Sequence, residues 1–144
     1  MVRGDGAGRE VLLVHPGGPF WAKKDAGAWS LPKGLLDEGE EPLAAAKREF
    51  AEELGRLAPE GPYVALGEVR LKSGKRVIAF AARGDFDPAM LRSNEIDVEH
   101  PAGSGRMLRI PEVDRAVWAT LDRAKVLLNA AQVPLIEAAM RAAL

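Results

Sequence analysis

The chain contains no cysteine, and it also lacks a long apolar run and a strong net charge of either sign. Without cysteine there can be no disulfide bond, zinc–thiolate site or cysteine nucleophile. No stretch reaches the roughly 18 consecutive apolar residues of a transmembrane helix, and residues 1–6 lack the apolar segment of a signal peptide. A cytoplasmic protein that does not enter membranes is therefore expected.

The balance of charge argues against a nucleic acid as the main partner. The 20 lysine and arginine residues are offset by 21 acidic ones, for a formal net charge of −1, so no overall basic field is available to hold a phosphate backbone. The chain is 47% hydrophobic and 28% charged, which is typical of a soluble globular protein. Its length favours one domain spanning residues 1–144. No pattern indicates an oligomeric state.

Segments typical of strands and helices are interspersed along the chain. Strand-like segments occur at residues 10–15, 20–22, 29–31, 63–72, 76–82, 95–99 and 113–119. Helical patterns occur at residues 42–54, 121–129 and 134–143. The tripeptide Ser73-Gly74-Lys75 joins two of the strands as a hairpin. This mixture predicts an α+β fold in which helices pack on a mixed sheet.

The clearest helix is predicted between Pro42, which suits a first helical position, and Gly55, which suits a C-terminal cap. Its helical periodicity places one set of apolar residues on a common stripe that should pack against the sheet. The set is Leu43, Ala46, Phe50 and Leu54. The adjacent sector of the helix carries three glutamates instead.

Glu49, Glu52 and Glu53 lie at i, i+3 and i+4 on this helix, where like charges repel one another. The last helical turn also disfavours negative charge because of the helix dipole. A hard divalent cation would offset both effects by taking carboxylate oxygens as ligands. The alternative is an ordinary solvated face with Lys47 and Arg48 as counter-charges, which is the usual explanation of three acidic residues on a helix.

The segment from Gly34 to Arg56 resembles the Nudix box. That box reads Gly, five residues, Glu, seven residues, Arg-Glu, an apolar residue, any residue, Glu-Glu, any residue, Gly and an apolar residue. Every fixed position is filled at the right spacing: Gly34, Glu40, Arg48, Glu49, Glu52, Glu53 and Gly55. Phe50 fills the first apolar slot, whereas Arg56 departs from the pattern in the last one. Residues 29–34 and 112–118 are less closely similar to family sequences. Together with the box, they resemble a bacterial branch of the family described as predicted NTP pyrophosphohydrolases.

The resemblance implies a Nudix-like mixed sheet sandwiched between helices, with a first strand that is missing, shortened or supplied differently here. It also implies Mg²⁺-dependent hydrolysis of a diphosphate bond in a small nucleotide, with dinucleoside polyphosphates or NTPs favoured. Mn²⁺ is an alternative metal because it also prefers oxygen ligands. A second possibility is a Nudix-like module that binds nucleotides without cutting them, although the intact box favours catalysis.

Roles follow from the resemblance residue by residue. Glu52, Glu53 and the backbone carbonyl of Gly34 would ligate the metal. Glu49 would bind or help to activate a metal-linked water. Arg48 would orient a neighbouring glutamate through a charge-assisted hydrogen bond. Glu40 is expected to stabilise the junction between loop and helix, and Gly55 to end the helix.

Candidates outside the box each have a plain structural alternative. Lys33 is a candidate phosphate ligand or a solvated loop lysine, and Trp29 is a candidate base-stacking ring or a core tryptophan. Glu95, Asp97 and Glu99 lie in a region from which the resemblance implies an extra base or ligand, but alternation also fits a solvent-facing strand. His15 and His100 are expected to be structural.

Overall fold

The computed structural model describes residues 1–33 and 39–144. Within these ranges the strands are β1 (Val2–Arg3), β2 (Glu10–Pro16), β3 (Val64–Arg70), β4 (Arg76–Ala81), β5 (Glu95–Glu99), β6 (Met107–Pro111) and β7 (Val113–Ala119). The helices are α1 (Pro42–Leu54), α2 (Leu121–Leu127) and α3 (Val133–Arg141). None of these helices combines the length and the apolar character needed to cross a bilayer.

The sheet contains both antiparallel and parallel pairing. Strands β1, β2 and β7 form an antiparallel sheet in that order, and β3 pairs with β4 as the predicted hairpin. A parallel bridge between Val2 and Arg83 connects the two groups, with Val2 N–H donating to Ala82 O at 3.0 Å and Gly84 N–H donating to Val2 O at 3.0 Å. The predicted α+β class is therefore confirmed.

Residues 11–14 of strand β2 are all apolar, because both faces of the sheet are covered at these positions. Val11 and Leu13 belong to a buried cluster that includes residues of α2 and α3. Leu12 and Val14 point to the opposite face and join the cluster that contains Phe50 of α1. The sheet therefore lies between α1 on one side and the C-terminal helices on the other, as the resemblance implied.

Helix α1 begins and ends at the predicted residues. The side chain of Glu41 caps its first turn by accepting from Leu43 N at 3.0 Å and Ala44 N at 2.9 Å. Gly55 ends it in the left-handed region at φ 76°, and a Cβ atom there would lie 2.4 Å from Arg92 O. Glycine is thus required at this position by both conformation and space.

The first strand is present but shortened to Val2–Arg3, which is one of the three alternatives that the resemblance left open. Other sequence-based predictions differ from the structure. Residues 20–22 were expected to be extended but lie in a turn, which Lys24 N–H closes onto Trp21 O at 2.9 Å. Residues 29–31 make only isolated bridges. Strand β6 was not predicted, because pairing with β5 defines this short, largely exposed segment.

Leu54 and Leu57 form a matched pair for testing the core beneath α1. Leu54 is fully buried and Leu57 is 89% exposed. We expect Leu54→Ala to lower the free energy of unfolding by about 2–5 kcal/mol, because it removes apolar contacts and leaves a cavity. Leu57→Ala should change it by no more than about 0.5 kcal/mol. Denaturant unfolding of both variants measures the difference, and equal losses would contradict the packing of α1.

Candidate metal centre

Three glutamates from two distant parts of the chain converge at the C-terminal half of α1. Each of Glu49, Glu53 and Glu112 offers a carboxylate oxygen, and these oxygens lie within 4.8 Å of one another. Glu49 and Glu53 are one helical turn apart on α1, and Glu112 occupies the link between β6 and β7. A cluster of carboxylate oxygens is the donor set that Mg²⁺ or Mn²⁺ prefers.

Burial makes this cluster electrostatically costly without a cation. Glu49 is 8% exposed and Glu53 is 4% exposed. Burial raises the pKa of Glu53 to about 8, with the charge of Glu112 as a further cause. Burial also raises the pKa of Glu49, while Arg48 opposes that rise. The two buried carboxylates exclude an ordinary solvated face as their explanation and fit a bound divalent cation.

Arg48 connects the loop before α1 to the glutamates of the helix. Its Nε and Nη2 donate to Glu40 at 2.8 and 3.0 Å, a bidentate contact that holds the loop against the helix. Its Nη1 donates to Glu49 Oε1 at 2.9 Å and to Glu52 Oε1 at 3.2 Å. Glu52 is exposed and lies outside the group of three converging carboxylates.

Asn94 connects Glu112 to helix α1 through hydrogen bonds. Its backbone N–H donates to Glu52 O at 2.8 Å, and its carbonyl accepts from Glu112 N at 2.9 Å. Its side-chain amide also donates to Glu112 Oε2 at 3.3 Å. Hydrogen bonds to Asn94 therefore connect the helix to the β6–β7 link. No role for Asn94 or Glu112 was predicted from the sequence.

Of the other predicted site residues, Lys33 lies near the glutamate cluster and Trp29 lies in the core. Lys33 lies beside the cluster, and its backbone N–H donates to Glu53 Oε2 at 3.2 Å. Gly34 lies outside the described residues. Trp29 is only 5% exposed, packs in the core and donates from Nε1 to Asp25 Oδ1 at 2.6 Å.

The acidic residues of β5 face solvent and lie outside the cluster. Glu95 and Asp97 both pair with Arg109, at 3.8 and 3.3 Å, and Glu99 accepts a hydrogen bond from Gly103 N–H. Alternation placed these three correctly on one strand face, and that face is exposed. Glu112, for which the sequence predicted no role, converges with Glu49 and Glu53 instead. Its place beside α1 depends on the pairing of β2 with β7, which ends at Pro16 and Val113.

The glutamates line one side of a cleft of about 940 Å³. Lys33, Lys75 and Arg76 supply positive charge to the same cleft. The lining also includes apolar and aromatic side chains, among them Phe20, Trp21, Ile96 and Val98. A cleft that combines carboxylates, cations and an apolar wall has the groups needed to hold a metal, a phosphate chain and a ring.

Comparison with known proteins shows the family to which the chain belongs. The NUDIX domain model matches residues 1–139, and the chain belongs to the Nudix family. It is 37% identical over 100 residues to an 8-oxo-(d)GTP phosphatase of Mycolicibacterium smegmatis, covering 67% of this chain and 24% of that protein.

Other relatives carry a different name. The chain is 35% identical over 89 residues to an RNA pyrophosphohydrolase of Vibrio atlanticus, covering 58% of this chain and 52% of that protein. A 28% identity over 132 residues to an RNA pyrophosphohydrolase of Aliivibrio fischeri covers 83% and 75%. The chain thus spans about a quarter and about half of the lengths of the first two relatives.

Without divalent metal, the protein should lose stability as the pH rises from about 5 to 8. Glu53 has a pKa of about 8 when folded, against an ordinary value of 4.5. Between these values the unfolded chain has released the proton that the folded chain keeps, so the free energy of unfolding falls with rising pH. Mg²⁺ needs the ionised carboxylate and should stabilise the protein most at about pH 8.

Thermal unfolding in chelator and in Mg²⁺, at about pH 5.5 and pH 8, measures both effects. Glu53→Gln is the control, because glutamine does not titrate and should flatten the pH dependence that comes from this position. A wild-type protein whose pH dependence in chelator matches that of Glu53→Gln would contradict the prediction.

Proposed function

We propose that this chain hydrolyses a diphosphate bond in a nucleoside polyphosphate or nucleoside diphosphate derivative, with Mg²⁺ or Mn²⁺ as the cofactor. The observation that carries the proposal is the convergence of Glu49, Glu53 and Glu112, two of them buried, beside a cleft lined with cations. Membership of the Nudix family supports the same chemistry. Dinucleoside polyphosphates and NTPs are the favoured substrates.

Glu53, Glu112 and Glu49 would hold the metal, together with the carbonyl of Gly34 that the resemblance implies. When bound, the cation neutralises phosphate charge and makes a coordinated water more acidic. Glu52 is a further candidate ligand, since its exposed carboxylate lines the same cleft. The ammonium group of Lys33 would bind phosphate oxygens of the substrate.

Glu49 is proposed to take the proton of the attacking water. Its carboxylate is buried beside the other two glutamates, and Arg48 Nη1 orients it by donating to Glu49 Oε1 at 2.9 Å. The water oxygen forms a bond to one phosphorus, and the bond from that phosphorus to the bridging oxygen breaks. The leaving phosphate departs with the electron pair of that bond, so the reaction needs no covalent intermediate.

The substrate is proposed from charge and from the relatives' names. Lys33 and Lys75 both line the cleft and suit a substrate with several phosphates, whereas Arg76 of the same cleft pairs with Glu68. The relatives are named for 8-oxo-(d)GTP and for RNA, so a 5′-triphosphorylated RNA end is a second candidate. The net charge of −1 favours the small nucleotide over RNA.

Product analysis by mass tests the proposal. The protein is incubated with diadenosine polyphosphates, NTPs including 8-oxo-dGTP, ADP-ribose, nucleotide sugars and a 5′-triphosphorylated oligonucleotide. Mg²⁺, Mn²⁺ and chelator are compared in H₂¹⁸O, and the label should enter one phosphate product in a metal-dependent reaction. Binding of these compounds without metal and without turnover would instead establish a non-catalytic nucleotide-binding module.

A further inference from the structure

An aromatic pair stands at the rim of the cleft with one ring largely in solvent. Phe20 is 64% exposed, and Trp21 packs against it edge to face at a centroid distance of 5.0 Å. Both side chains line the cleft that contains Glu49 and Glu53. An exposed aromatic ring leaves apolar surface in water, so a ligand that covers it would gain free energy.

The backbone that leads into this pair is fixed by close contacts. A Cβ atom on Gly17 would lie 2.0 Å from Pro111 O, and one on Gly18 would lie 2.6 Å from Ile110 Cδ1. Gly18 also has a φ of 91°, in the region that favours glycine. Residues 17 and 18 therefore lie directly against β6, and Pro19 restricts the next φ angle.

The other end of the segment is anchored in the core. His15 is fully buried, and its Nε2–H donates to Lys24 O at 2.6 Å. The buried Trp29 donates from Nε1 to Asp25 Oδ1 at 2.6 Å. The turn that presents Phe20 is thus held at both ends, which lowers the entropy cost of binding a ligand at its tip.

The Phe20 ring keeps most of its surface in solvent although a cation packs on it. Lys24 Nζ lies 3.5 Å from the centroid of this ring, as in a cation–π contact. The Phe20 side chain is nevertheless 64% exposed and lines the cleft, so it offers apolar surface that a ligand in the cleft can cover. Ile96 and Val98 add apolar surface to the same cleft.

The amide side chains of Gln132 and Asn129, which line the cleft, already make hydrogen bonds within the protein. Gln132 is buried, and its amide is engaged with Leu31 N at 3.0 Å and Ser30 Oγ at 3.4 Å. Asn129 already accepts from Ala131 N at 3.1 Å. An aromatic face recognises any base, and a purine gains more contact area than a pyrimidine.

We propose that Phe20, supported by Trp21, is the platform on which the base of the nucleotide substrate stacks while the phosphates reach the glutamate cluster. This assignment rests on the proposed function for the identity of the ligand. It makes Phe20 a specificity-determining residue that selects substrates carrying a base and ranks purines above pyrimidines. Phe20 takes the place that the sequence suggested for Trp29, whose ring is buried.

Binding of uncleavable analogues tests the platform independently of catalysis. The probes are the α,β-methylene analogues of ADP and UDP, with methylenediphosphonate as a probe without a base, all in Mg²⁺. Phe20→Ala should weaken binding of the ADP analogue by about tenfold, which corresponds to about 1.4 kcal/mol of binding free energy. It should also reduce the preference for the adenine analogue over the uracil analogue. Methylenediphosphonate should bind both proteins equally, and Phe20→Trp should bind like wild type.

Leu57→Ala, which removes another exposed apolar side chain, is the matched control and should bind every probe like wild type. Three results would overturn the platform. Phe20→Ala could bind all three probes like wild type, or its affinity for all three could fall by the same factor. Alternatively, the wild-type protein could fail to bind the ADP analogue. Failure of the proposed function looks different, because wild type would then bind the analogues without cleaving any substrate. If cleavage occurs, Phe20→Ala should raise KM with little change in kcat.

Discussion

Replacing Glu53 by glutamine should lower kcat/KM by about a thousandfold while the protein stays folded. Glu53 is the most buried of the three converging carboxylates, so its negative charge acts at short range on a bound cation. Glutamine keeps the shape but loses that charge, and removal of one preorganised electrostatic group typically costs about 10²–10³ in rate. Steady-state kinetics in Mg²⁺ on the best substrate measures the loss.

A second measurement separates this effect from misfolding. In chelator at about pH 8, Glu53→Gln should unfold at a higher temperature than wild type, because it removes a carboxylate that ionises unfavourably when buried. An inactive variant that is less stable under these conditions would indicate that Glu53 serves the fold rather than the metal.

Glu52→Gln provides the comparison on the same helix. Glu52 is exposed and its carboxylate accepts from Arg48 Nη1 at 3.2 Å. Because solvent screens its charge, we expect a loss of about tenfold or less. A loss equal to that of Glu53→Gln would show that Glu52 is a ligand of equal weight, as the resemblance to the family implies.

Glu112→Gln should reduce kcat/KM by about a hundredfold and weaken Mg²⁺ binding. Glu112 lies far from the Nudix box in sequence, but its carboxylate joins Glu49 and Glu53, and Asn94 holds it there. Loss of one of three carboxylates leaves the cation less neutralised and less rigidly held. Calorimetric titration with Mg²⁺ and kinetics on the same preparation test both parts.

Glu95→Gln is the matched control for Glu112→Gln. Glu95 is also an acidic residue near the β5–β6 hairpin, but it is exposed and its partner Arg109 lies 3.8 Å away on the surface. Exposed pairs of this kind contribute about 0–1 kcal/mol, so activity and Mg²⁺ affinity should stay close to wild type. If Glu95→Gln lost activity and Glu112→Gln kept it, Glu95 rather than Glu112 would be the metal ligand.

The periodicity of α1 predicted which side chains share a face, but not which face the fold covers. Phe50 and Leu54 are buried as expected, whereas Leu43 and Ala46 are only half-buried. The burial extends instead to Glu49 and Glu53. Neighbouring strands and the β6–β7 link lie over the acidic sector, and their position is not encoded within the helix.

The sequence also does not show which aromatic ring in residues 20–29 is exposed and which is buried. Phe20 and Trp29 are both large rings within one short segment, and composition cannot tell which will be buried. Trp29 packs against the core cluster that contains Leu128, whereas Phe20 follows a glycine turn that lies against β6. Contacts with distant strands and helices therefore decide that Phe20 is the exposed ring.

The sequence by itself determined the bounds of α1, the apolar strand β2 and the spacing of Arg48, Glu49, Glu52 and Glu53 within the Nudix box. These features are local, because capping, helical periodicity and apolar runs act over a few residues. Only the tertiary structure decided that Glu112 joins Glu49 and Glu53, and that Glu52 stays exposed. The reason is that strand pairing brings residue 112 to the helix although 58 residues separate it from Glu53 in the sequence, and no local pattern records that pairing.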